Sequence, residues 1–101
     1  MEPTSLRFAR LARSLGEAAR AQGLRAPTFR SPPRLPGVTR SIVRRGPGVV
    51  VAVALRDRPW PAVVADMVEG VVAANRLAGV RADRVRAGLW AVVGDAGDRA
   101  A

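Results

Sequence analysis

An α+β fold is predicted by two apolar periodicities that share one short chain. Residues 5–22 and 59–77 repeat apolar side chains at the 3.6-residue spacing of a helix. Residues 39–45 and 49–56 read instead as two strands around Gly46-Pro47-Gly48. A third observation separates these parts: Pro27, Pro32, Pro33 and Pro36 fall between the first helix and the first strand. The predicted order is an N-terminal amphipathic helix, a proline-rich strap, a β-hairpin, a long helix and a short C-terminal helix. At 101 residues the chain makes one domain with a modest core.

In the first helix, Phe8, Leu11, Leu15, Ala18 and Ala19 share one face. Arg10, Arg13, Glu17 and Arg20 share the opposite one, where Glu17 can pair with Arg13 and Arg20. Thr4 or Ser5 is the expected N-cap and Gly23 the stop, which closes a basic helical segment over residues 1–25. Residues 26–38 form a Pro/Arg-rich connection, because proline forbids a regular helix and favours an extended path. Phe29 within it either docks on the domain or offers a ring for base stacking.

The core is expected over residues 39–94. Its first strand carries Arg40, Ile42 and Arg44 on one side and Thr39, Ser41, Val43 and Arg45 on the other. Neither side is purely apolar, which suits an edge strand guarded by arginine. Val49–Leu55 is apolar on both faces and reads as an interior strand. Pro59 and Pro61 open the long helix, whose face is Val63, Val64, Met67, Val68, Val71 and Val72, with Asp66, Glu69 and Arg76 on the wet side. Residues 83–93 suit a third helix capped by Asp83. The alternative is a third strand over residues 89–93, since periodicity does not separate the two in so short a run. Trp60 and Trp90 are read as core residues. From Gly94 the chain reads as a frayed tail over residues 95–101.

An isolated two-stranded ribbon is marginal, so something must complete the hairpin. Three remedies are open: a strand at residues 89–93, helices covering both faces, or a homodimer pairing edge to edge in a four-stranded sheet.

Charge is distributed unevenly. All seventeen basic residues are arginine; ten lie before residue 49 against Glu2 and Glu17, and seven lie after it against six acids. High-GC bacterial codon usage explains arginine in place of lysine, and makes a bacterial, cytoplasmic protein the expectation. It does not explain the crowding into one half. Residues 5–22 also have the acid-poor amphipathic character of a transit peptide, but the codon reading covers it more simply. No apolar run reaches the roughly 20 residues of a membrane helix.

The catalytic inventory is thin. The chain has no His, Cys, Lys or Tyr, which excludes thiolate, Schiff-base and histidine-assisted chemistry and the usual zinc sites. Asp66 and Glu69 sit three apart on one helix, but hard cations need more oxygen ligands than a pair supplies. No catalytic, cofactor or metal residue is therefore assigned, and the protein is read as non-enzymatic.

What remains is the arginine set. Arg30 and Arg34 on the strap and Arg40, Arg44 and Arg45 on the hairpin are the expected nucleic-acid contacts, with Arg10, Arg13 and Arg20 as a secondary basic face. The planar guanidinium donates paired hydrogen bonds to phosphate, so the expectation is DNA or RNA bound through its backbone. The competing expectation is a protein-interaction module, docking helix 1 on an apolar or acidic partner surface.

Overall fold

The computed structural model describes residues 3–30, 40–45, 48–55 and 58–100. Three helices and a three-stranded mixed sheet make an α+β fold, in the order α1 (Thr4–Ala21), β1 (Thr28–Arg30), β2 (Arg40–Arg45), β3 (Gly48–Val53), α2 (Trp60–Arg76) and α3 (Ala82–Ala100).

In α1 the predicted stripe is the buried one: Phe8, Leu11, Leu15 and Ala19 enter the core, and Ala18 packs at its margin. The N-cap is Pro3 rather than Thr4 or Ser5. The Pro3 carbonyl accepts from the N–H groups of Leu6 and Arg7, and no side chain caps the turn. At the other end Gly23 takes φ +72°, a conformation that costs glycine little. The Leu24 N–H then reaches the Ala19 carbonyl at 2.9 Å and the Gly23 N–H the Arg20 carbonyl at 3.0 Å, a Schellman closure. Glu17 forms neither expected ion pair among the described residues.

The sheet order is β1-β3-β2. β2 and β3 form the predicted antiparallel hairpin, with Ile42 opposite Val51 and Arg44 opposite Val49. The third strand comes from within the proline-rich connection: β1 runs parallel to β3, with Phe29 opposite Val51. None of the three remedies anticipates this. A three-residue strand whose neighbour in the sheet lies some twenty residues on leaves no periodic signature of its own. β3 is thus flanked on both sides by the chain itself, and no second copy is required to complete it.

Side chains alternate along β3. Val51 and Val53 are fully buried, while Val50 and Ala52 are half-buried. α2 packs on the Val51 face, and Gly70 permits the contact: a Cβ there would stand 2.6 Å from Val51 Cγ2 and 3.1 Å from Phe29 Cε1. Phe29 is therefore docked on the domain. Every predicted apolar residue of α2 is buried, and α3 packs against it through Val85, Leu89 and Val93. Each such side chain contributes about 1.5–3 kcal/mol through burial.

Four expectations are corrected. Asp66 is not on a wet face, because its side chain is only 13% exposed and is ion-paired with Arg58. Trp90 is on the surface, since the buried stripe of α3 repeats every four residues and Trp90 falls one position past it. Residues 89–93 are helical, as the leading reading of residues 83–93 has it, and the alternative strand is not formed. α3 also continues to Ala100, past Gly94, where a frayed tail was expected, and its first turn is entered from Arg81 rather than capped by Asp83.

Candidate functional site

One end of the sheet gathers what the sequence keeps apart. There β1 and β3 begin, β2 ends, and the C-terminal turns of α1 and α2 arrive. A cleft of about 650 Å³ opens between them. Arg20 from α1, Arg25 from the α1–β1 loop and Arg44 from β2 line it. Its apolar walls are Leu24, Pro27, Val49, Ala74 and Leu77, and no carboxylate lines it among the described residues.

Arg25 is held from below by Asn75. This asparagine is 1% exposed, the one buried polar residue among those described. Its Oδ1 accepts from the Arg25 backbone N–H at 2.9 Å, and its Nδ2 donates to the Arg25 carbonyl at 2.9 Å and to the Val71 carbonyl at 2.8 Å. Both ends of the carboxamide are thus satisfied, as burial of a polar group demands. The loop is fixed to α2 by a two-point clip, leaving the exposed Arg25 side chain for the cleft.

Arg44 reaches the cleft because it stands opposite Val49, on the side of the sheet that α2 covers, yet at an uncovered edge. Arg20 is exposed and folds back over Gly16, where a Cβ would meet its Nη1 at 3.3 Å. It is also a lining residue of the cleft.

The ordinary role for cations at this place is to balance two helix C-termini, each worth roughly half a negative charge. Three guanidinium groups exceed that by about two charges. The Schellman closure has in addition already satisfied carbonyls of α1. The cleft is therefore electropositive beyond the needs of the fold.

The expected contacts divide. Arg44 enters the cleft. Arg30 is exposed at the far end of β1, opposite Ala52, and so lies on the other face of the sheet. Arg30 and Arg44 are not brought together. Arg40 stands opposite Val53 and Arg45 opposite Gly48; their side chains, and all of Arg34, lie outside what is described. Arg10, Arg13 and Arg20 are exposed along α1 and lead over about 15 Å to the cleft rim. Arg25 was missed by sequence reasoning. Its only local mark is its place between Gly23 and Pro27, and its partner Asn75 is fifty residues away.

Several of the other described arginines have structural partners. Arg7 stacks over the Trp60 ring, with its guanidinium carbon 4.4 Å from the ring centroid. Arg86 grips Glu69 with two hydrogen bonds of 2.9 and 3.1 Å, linking α3 to α2. The hydrogen bond, and then the charge of Glu69, raise the Arg86 pKa above its usual value. Asp66 and Glu69 are therefore each engaged by an arginine.

Comparison with protein-family models, with curated proteins and with solved structures finds no match for this chain.

Proposed function

We propose that this is a small, non-enzymatic accessory protein that binds nucleic acid through arginine–phosphate contacts. The observation that carries the reading is the cleft in which Arg20, Arg25 and Arg44 meet without a carboxylate. Phosphate is the anion that best uses several planar forks at once. The exposed Arg10 and Arg13 extend the cationic path along α1. Arg30, Arg34, Arg40 and Arg45 add contacts at the sheet and strap. Backbone contacts of this kind carry little sequence information, so binding is expected to be largely non-specific.

The competing module reading relied on the apolar face of α1, and that face is buried in the chain's own core. An acidic protein surface remains the alternative occupant of the cleft. The test is fluorescence anisotropy with labelled DNA and RNA oligonucleotides at about 50 mM salt, with polyglutamate as competitor. Binding that resists polyglutamate supports the proposal. No binding of any oligonucleotide, or displacement by polyglutamate at equal charge concentration, overturns it.

A further inference from the structure

We infer that the cleft takes one unstacked nucleotide of a single strand, with its phosphate on the arginines and its base against the apolar wall. The inference rests on the nucleic-acid reading above and names the form of nucleic acid.

The shape and lining of the cleft carry it. At about 650 Å³ it falls among sites that enclose small ligands, in the range of roughly 300–1,000 Å³. It is a recess and not a ridge, so it offers nothing to insert into a groove. A duplex keeps its bases stacked inside and turns its phosphates outward, so it would meet the arginines at the rim and leave the apolar wall unused. A single strand presents an anion and a flat apolar face within one nucleotide. That pairing matches Arg25 and Arg44 set beside Leu24, Pro27 and Leu77.

Leu77 supports the match. It is 52% exposed, among the most exposed large apolar residues described, and its exposed surface lines the same cleft as the cations. Leu24, Pro27 and Leu77 are aliphatic, so they accept any base by its face and select none by its edge. Guanidinium planes add a further surface on which bases stack. The site is also built before its ligand arrives. The Schellman closure orders Gly23 and Leu24, Asn75 clips the Arg25 backbone, and Pro27 is buried. Less ordering then has to accompany binding.

Two measurements test this together. Anisotropy compares a labelled single strand with its duplex at equal salt, for the native protein and for Arg25→Ala and Leu77→Ala. Amide chemical shifts are followed while a nucleoside monophosphate, and separately inorganic phosphate, is added. The single strand is expected to bind more tightly. Leu77→Ala, at a half-exposed position, is expected to weaken single-strand binding about fivefold and to leave duplex binding unchanged. Arg25→Ala weakens both. The monophosphate moves the Leu24, Arg25 and Leu77 amides, whereas phosphate alone moves Arg25 without Leu24 and Leu77. A duplex bound as tightly as the single strand, with no effect of Leu77→Ala, overturns this inference and leaves the general reading standing. Absence of binding to both forms in the native protein overturns both.

Discussion

Asn75 shows how a single side chain couples the core to the cleft. Replacing it with leucine removes the clip and leaves the Arg25 N–H and carbonyl without their partner. Asn75→Leu is expected to cost about 1–3 kcal/mol in a urea melt and to weaken oligonucleotide binding, although residue 75 touches no ligand. A leucine variant as stable as the native chain, with native affinity, would show that the loop is held by other means. Gly70 is the opposite kind of residue, needed for what it lacks. Gly70→Ala gains helix propensity but drives a methyl group into Val51, which is β-branched and has no room to turn. The net expectation is a loss of about 1–2 kcal/mol, read from the midpoint of the same melt.

Helix faces were legible in the sequence because burial follows a local period. Phe8, Leu11, Leu15 and Ala19 of α1 and the valine–methionine face of α2 could be read directly from spacing. Residues whose burial depends on a distant partner could not. Asp66 looks like any acid on a wet helix face until Arg58, eight residues earlier, closes over it. β1 is invisible because three residues carry no period and its partner β3 is remote in sequence. The two ion pairs of α2 give an element-scale prediction. Asp66→Asn, in the part-buried pair, is expected to cost about 1.5–3 kcal/mol. Glu69→Gln breaks a pair whose side chains are 35–40% exposed and is expected to cost clearly less, because solvent screens it. Melts at low and high salt check this: salt should erode the Glu69 contribution first. Equal costs for the two variants would contradict the burial difference.

For the whole molecule, the excess of arginine in the first half was legible as a demand for an anionic partner. Its geometry was not. The hairpin and strap arginines were read together as the expected contacts, yet Arg30 and Arg44 lie on opposite faces of the sheet. The cleft is assembled instead from α1, the loop after it, β2 and the end of α2, at sequence separations that no local pattern records. Arg20 was on the expected secondary face, Arg44 on the expected primary one, and Arg25 on neither. The proposed function requires that phosphate is met in this cleft. The most direct test is the salt dependence of single-strand binding for the native chain and for the combined Arg20→Ala, Arg25→Ala and Arg44→Ala variant. The slope of log K against log salt is predicted to be steep for the native protein. In the variant it should become shallower by at least about 0.7, the value for the one phosphate no longer neutralised in the cleft, with the fold intact by circular dichroism. A variant that keeps the native slope and affinity would contradict the claim and move the binding surface elsewhere.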